Sequence, residues 1–498
     1  MELQFEKTVT PCLRTVTREM QAQELTQEVR LTDGMPDIGK VLGSWGQVLI
    51  RGKQWNNGIA GTNGGVMVTV LYMPEEGEEP QSVEAWIPFQ FKWDVSSARR
   101  DGNLCIQPFL RGIDARSVSA RKLLVRAGLG MLGHACVSGE AQTYTPENIP
   151  EDVQLLKNTY PVQVPTEAGE KPFFFEEILT IPGSAPEFGR LIRYGIRPEL
   201  LDKKVVADKV IMRGSCAVNM LYCGTDGKLY SWDADVPFSQ YAQLDKEYDT
   251  TADGDITIAV TDLEIEQVDG GLKMKAGLNG QYTIFDRVIM DVTEDAYSPY
   301  RNMKVQTERS DMPTVLDAFK QTISADKKVD TGSQRVVDIA VYIDQPAISR
   351  GDHKMSADIS GTFQLLSYDH EGQLQCAVSH WQNDWSLPVD CHSQVDFMVQ
   401  QTGKPQGVIS GGSVDVCTDM LVKGMVWADH DMELVTGLEF GELQEPDPNR
   451  PSLVLRRAGE ERLWDIAKDT GSTVDAIMQA NSLQHEPDSE QMLLIPIS

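Results

Sequence analysis

The clearest pattern along the chain has a period of two. Val66, Val68, Val70 and Tyr72 alternate with Met67, Thr69 and Leu71. That alternation, rich in β-branched residues, predicts a strand whose neighbouring side chains face opposite ways. A turn at Met73-Pro74-Glu75-Glu76-Gly77 follows, then Trp86-Ile87-Pro88-Phe89. The same succession returns as Cys216 to Tyr222, the turn Asp226-Gly227, and Asp235-Val236-Pro237-Phe238. Asp226-Gly227 and Glu371-Gly372 predict tight hairpins, because glycine accepts the positive φ they need. Pro88 and Pro237 suit strand ends or edge strands, where a missing N–H costs nothing.

These landmarks define a repeat. Tyr72 and Tyr222 are 150 residues apart, as are Pro36 and Pro186, while Ala127-Gly128-Leu129 and Ala276-Gly277-Leu278 are offset by 149. Met35-Pro36-Asp37-Ile38-Gly39-Lys40 matches Ala185-Pro186-Glu187-Phe188-Gly189-Arg190. Proline followed by an acid predicts the first turn of a short helix. A weaker third copy aligns Tyr368 with Tyr222 and Met312-Pro313 with Met35-Pro36. The proline-to-tyrosine spacing is 36 residues in the first two copies and 55 in the third. Either an inserted segment lies between Ala318 and Gly361, or the Met-Pro match is false.

The chain is therefore expected to be mainly β. Three tandem β-rich modules, sandwich or barrel-like, span residues 1–150, 151–300 and 301–443. A proline-rich linker at 444–452 precedes a small βααβ module at 453–498. In that last module Leu453-Val454-Leu455 and Leu493-Leu494-Ile495-Pro496 read as strands. Leu463, Trp464, Ile466 and Ala467 fall at helical spacing, as do Val474, Ile477, Met478 and Ala480, with Ser472 or Thr473 to cap the second helix.

Composition narrows the function. The 498 residues carry a net charge of −29, which repels nucleic acid and anionic membranes, since both normally demand a basic footprint. The N-terminus has no basic stretch followed by an apolar run, so no secretory signal is expected, and no apolar run has the length to cross a bilayer. The eight cysteines are scattered from Cys12 to Cys417 and are expected to be free thiols in a reducing cytosol.

Catalytic patterns are weak. Gly128-Leu129-Gly130-Met131-Leu132-Gly133 fits a dinucleotide fingerprint, but the sequence after it continues to alternate and no helix opens there. No Gly-Lys pair is followed by Ser or Thr, and neither H-E-x-x-H, C-x-x-C nor G-x-S-x-G occurs. His134 and Cys136 share a strand face, whereas Cys391 and His392 point apart. No catalytic residue, cofactor or metal is expected. Trp86, Trp93, Trp381 and Trp385 are expected to fill module cores, the alternative being a partner surface.

The terminal module resembles a LysM domain through Leu463-Trp464-Asp465-Ile466-Ala467-Lys468, Thr473-Val474, Ile477, Ala480-Asn481-Ser482-Leu483 and Leu494-Ile495-Pro496. The resemblance implies a βααβ fold and a groove between two loops that takes N-acetylglucosamine glycans such as peptidoglycan. The groove positions it implies are Gly459, Glu460, Glu461 and Arg462 on one side, and Leu483, Gln484, His485 and Glu486 on the other. This chain has Glu460-Glu461-Arg462 where the family has Asp-Thr, and Glu490 where it favours glycine. Together with the Met-Pro-Asp-Ile and Leu-Tyr…Gly…Val-Pro-Phe repeats, the chain resembles the SPOCS-domain (DUF3794) family of spore-coat proteins. That resemblance implies a scaffold without enzymatic activity on the mother-cell side of the forespore, with a SpoIVA-like coat ATPase as partner. A glycan-binding anchor, a wall hydrolase targeted by the terminal module, and a protein that self-assembles by strand addition are the alternatives.

Overall fold

The computed structural model describes residues 2–497 except 78, 99, 270, 310–312, 345, 352–354, 390–393, 428–432 and 444–450. The protein is mainly β: strands make up 78% of it, and among the described residues the helices are two short ones near the C-terminus.

Six strands of the N-terminal part form two sheets. They are β2 (Glu6–Arg30), β3 (Ile38–Asn56), β4 (Ile59–Pro74), β5 (Gln81–Asp94), β6 (Asn103–Ser119) and β7 (Lys122–Thr145), after a short β1 (Glu2–Gln4). One sheet runs β2-β7-β6 and the other β3-β4-β5. β3 lies against β6 and β2 against β5, so the two sheets close towards a barrel.

The pairing recurs in β8 (Gln154–Leu179), β9 (Phe188–Gly224), β10 (Leu229–Tyr248), β11 (Asp253–Val268) and β12 (Gly271–Tyr297). There β8, β12 and β11 pair in the order of β2, β7 and β6, as half of a six-stranded sheet, and β10 pairs with the second half of β9. β9 doubles back near Ala207, whose φ is +51°, and a Cβ on Gly214 would lie 2.1 Å from the Glu199 carbonyl oxygen.

A third set follows: β13 (Arg301–Arg309), β14 (Val315–Asp330), β15 (Ser333–Ile343), β16 (Ala347–Arg350), β17 (Met355–Asp369), β18 (Leu374–Ser386), β19 (Gln394–Ser410), β20 (Ser413–Trp427) and β21 (Glu433–Leu443). β14-β20-β19 pair in the order of β2-β7-β6, and β15 and β16 both pair with β17, which pairs with β18.

Period two explains how these sets pack together. Val66, Val68, Val70 and Tyr72 point into their own core and are fully buried. Leu71, on the opposite face, is just as buried, because it enters a second core shared by all three sets. Leu221 and Ile192 reach that junction from the second set, and Leu366 and Val337 from the third. Polar groups fasten it as well. The Gln281 side chain donates to the Ile106 carbonyl at 2.7 Å and accepts from the Ile106 N–H at 2.9 Å, so one side chain mimics a strand partner between the first two sets.

Three sequence expectations change here. Tyr72 and Tyr222 donate to the carbonyls of Pro36 and Pro186 at 3.1 and 3.0 Å, but Tyr368 is not their counterpart. Its hydroxyl accepts from the Leu229 N–H at 2.9 Å at the junction, on the side taken by Leu71 and Leu221. An offset wrong by one residue turns a side chain to the other face. Nor is Pro313 the counterpart of Pro36. Pro36 and Pro186 sit in the β2–β3 and β8–β9 connections, and the matching β14–β15 connection holds Thr331-Gly332. The Met-Pro match is false, and no insertion is needed. Met312 itself lies outside the described residues.

The Pro-acid pairs also open no helix. Thr32 to Asp37 form a turn, the Arg121 guanidinium takes the carbonyls of Thr32 and Met35 and the Asp37 carboxylate, and β3 starts at Ile38. The Thr32 carbonyl also takes the Gly34 and Met35 N–H groups at 3.0 and 3.1 Å, which closes a tight turn in place of a helix. Gly227 and Gly372 do turn their hairpins with φ of +77° and +76°, and Pro88 and Pro237 sit in β5 and β10, each paired on one side only.

The sets are joined a second time. β2 with β7 and β8 with β12 extend as ribbons beyond their sheets, to the pairs Glu6↔Thr145 and Gln154↔Tyr297, and β13 with β21 forms a third ribbon, to the pair Arg301↔Leu443, with β1 paired along the other side of β21. Cys12, Ala141, Val162, Met290 and Leu434 bring the three ribbons into one core. The proline-rich linker lies outside the described residues apart from Pro451 and Ser452. After it come β22 (Leu453–Arg457), α1 (Leu463–Thr470), α2 (Val474–Asn481) and β23 (Met492–Pro496), with β22 and β23 antiparallel.

Candidate docking site in the terminal segment

The two helices form where apolar spacing places them. Leu463, Trp464, Ile466 and Ala467 are the buried face of α1, and Ile477 is the buried residue of α2. Thr473 caps α2, its hydroxyl accepting the Ala476 N–H at 3.1 Å. Leu493 and Ile495 of β23 complete this small core.

α1 is capped differently. Arg462 stands at its N-cap without a side-chain cap bond, and its guanidinium pairs with Asp465 at 3.1 Å instead. The cap comes from the other loop: the Glu486 carboxylate accepts the Leu463 N–H at 3.0 Å. A carboxylate there satisfies a free donor and meets the positive end of the helix. The bond also ties the two loops together. Of the residues the sequence singled out, Gly459, Glu460, Glu461, Arg462, Gln484, His485 and Glu486 are exposed, and Leu483 is half-buried with its N–H on the Met478 carbonyl at 2.9 Å.

The acidic residues of the loops are largely spoken for. Glu461 and Asp469 flank Arg456 at 2.5 and 2.7 Å, and Glu490 pairs with Arg457 at 2.8 Å. The two loops are thus bridged by Glu486 and bordered by ion pairs.

Sequence reasoning missed what holds this segment in place. The Trp464 indole N–H donates to Asp295 at 2.8 Å, and the Lys468 ammonium lies 2.7 Å from the same carboxylate. Tyr297 packs edge-on against the Trp464 ring, centroids 4.8 Å apart, and its hydroxyl donates to the Ser472 carbonyl at 2.9 Å. Burial pushes the Tyr297 phenol up to about 12. Asp295 and Tyr297 end β12, so α1 is fastened to the end of the second ribbon. No local pattern could have signalled a contact between positions 169 residues apart.

The other candidates resolve as packing. Gly130 and Gly133 lie within β7, where a Cβ would fall 2.0 Å from the Phe109 ring and 2.2 Å from the Trp93 ring. The fingerprint glycines there make room for aromatic rings from neighbouring strands. Trp93 and Trp381 are buried and Trp385 is half-buried, whereas Trp86 is exposed, lying flat on Gly65 beneath Arg51. His134 shares a 3.0 Å hydrogen bond with the Thr15 hydroxyl, and burial pushes its imidazole down to about 3. Cys391 and His392 lie outside the described residues. Among the described residues, no group of three or more His, Cys, Asp or Glu side chains is placed to hold a metal, and no helix is long and apolar enough to cross a membrane.

Residues 189–272 match the family model described as SipL, SPOCS domain. The matched segment runs from the start of β9 through β10 and β11 to the start of β12. No curated protein and no solved structure matches the chain. The match associates the chain with sporulation.

Proposed function

We propose that this protein is a non-enzymatic scaffold of spore-coat assembly. On this reading it has three SPOCS-like modules at 1–150, 151–300 and 301–443, and a LysM domain at 453–498 that docks a protein partner. The observation that carries the reading is the SPOCS-domain match on the second strand set, whose pairing order also occurs in the sets before and after it. A scaffold gains from several contacts on one chain, because linked weak sites bind with avidity. Protein docking is favoured over glycan binding by Glu486, which occupies the N-terminus of α1 and joins the two loops.

The site of action on this reading is the mother-cell side of the forespore, and the partner is a SpoIVA-like coat ATPase. The test is co-purification of that ATPase with the full chain and with a chain ending at residue 450, alongside sedimentation with purified peptidoglycan. Recovery of the ATPase with the full chain alone is the expected result. Retention on peptidoglycan without recovery of the ATPase would put the glycan-binding anchor in its place.

A further inference from the structure

The small sheet of the terminal segment has two unlike faces. Val454, Leu493 and Ile495 turn towards the helices, while Leu453, Leu455, Met492 and Leu494 turn outward and are 52, 61, 52 and 40% exposed. The register sets them side by side: Leu455 faces Leu494, Leu453 faces Pro496 and Arg457 faces Met492. Four large apolar side chains on so short a ladder expose an area on the order of a few hundred Å², the size at which patches mark contact surfaces. The segment grips the rest of the chain through Trp464, Lys468 and Ser472, so its own body leaves this face uncovered.

Charge says what fits it. From residue 451 on there are eight carboxylates and four cationic side chains. All four cations are already paired: Arg456 with Glu461 and Asp469, Arg457 with Glu490, Arg462 with Asp465, and Lys468 with Asp295. At the Met492 end of the ladder the Gly459 N–H bonds to the Ser489 carbonyl and the Gln491 N–H to the Asp488 carbonyl. Those bonds bring Glu460, Asp488 and Glu490, all exposed, to that end of the ladder, where Arg457 pairs with Glu490.

We infer that the outer face of β22 and β23 docks a partner protein through a segment with a row of apolar side chains and lysine or arginine at one end. The apolar row lies along Leu453, Leu455 and Leu494, and the basic end meets Glu460, Asp488 and Glu490. This deepens the docking role proposed above and rests on it, but it places the contact on the sheet and not in the loop groove.

The test uses the full chain and fluorescent ten-residue peptides in an anisotropy titration. The probe has leucine at alternate positions and two arginines at one end. One control replaces the leucines by serine, the other the arginines by glutamate. The probe should bind at least about tenfold more tightly than either control. L455S/L494S should reduce its affinity about tenfold or more at unchanged melting temperature, and D488N/E490Q should weaken the arginine probe while leaving the glutamate control unchanged or improved. Equal binding of the serine control, or no loss in L455S/L494S, overturns the inference. So does a concentration-dependent dimer abolished by L455S/L494S, which would show that a second copy covers the face. Co-purification of the coat ATPase is measured separately, so a sheet that binds the probe while the ATPase is not recovered sinks the proposed partner and leaves this inference standing.

Discussion

Arg193 touches all three strand sets at their junction. Its guanidinium, 11% exposed, lies 2.7 Å from the Asp338 carboxylate, itself 5% exposed, and joins the second strand set to the third. It also donates to Asn219 and lies 5.1 Å from the Trp45 ring of the first set. Replacing Asp338 by Ala leaves a cation inside the junction with no countercharge. Breaking a buried pair from one side costs about 3–5 kcal/mol. With a urea m-value of about 2–3 kcal/mol/M, the midpoint should fall by about 1–2 M. R193M/D338L removes both charges and should recover most of that loss, because two apolar side chains of similar bulk need no partner. The assay is urea unfolding followed by tryptophan fluorescence, with circular dichroism as a second probe of whether the transition stays single. A midpoint shift below about 0.3 M for D338A, or a double variant as unstable as the two losses added together, would refute the reasoning.

Other consequences are open to measurement. D295A removes the acceptor shared by Trp464 and Lys468 and should make the terminal segment the first product of limited proteolysis, with the remainder of the chain intact; an unchanged digestion pattern would count against this anchor. G130A would drive a Cβ into the Phe109 ring and should lower the melting temperature by several degrees, whereas G112A, with no atom within 4 Å, should stay close to the parent in calorimetry. Asp152 is held below the usual carboxylate range by hydrogen bonding from Arg301, with Ser298 adding to it. Because its folded pKa is depressed, the stability it contributes is present above the unfolded value and lost as pH falls below about 4. R301Q should flatten that acid limb of stability against pH, and an unchanged limb would show that Asp152 does not contribute to it.

What the sequence revealed follows from which forces are local. Period two in Val66–Tyr72 and helical spacing in Leu463–Ala467 are properties of a few adjacent residues, and the structure has a strand and a helix there. The first two copies could be aligned because a proline in the connection before the ladder, and a tyrosine and a Val/Ile-Pro-Phe triplet within it, each keep a fixed place. The third lacks the proline, and aligning it by Tyr368 put that side chain on the wrong face. Leu71 explains a further gap: alternation showed that it faces away from Val70, but not that a second core waits there. The loop residues were legible as a site, yet the bond from Leu463 to Glu486, the Asp295 anchor and the Arg193–Asp338 pair depend on where distant segments meet. Nothing in the local pattern encodes those meetings.

The most direct measurement images the full chain, fluorescently tagged at its N-terminus, in sporulating cells beside the L455S/L494S variant and a chain ending at residue 450. The account expects the full chain to form a ring around the forespore that weakens in the substituted variant and disperses in the truncated one. A full chain that stays diffuse throughout sporulation would contradict it.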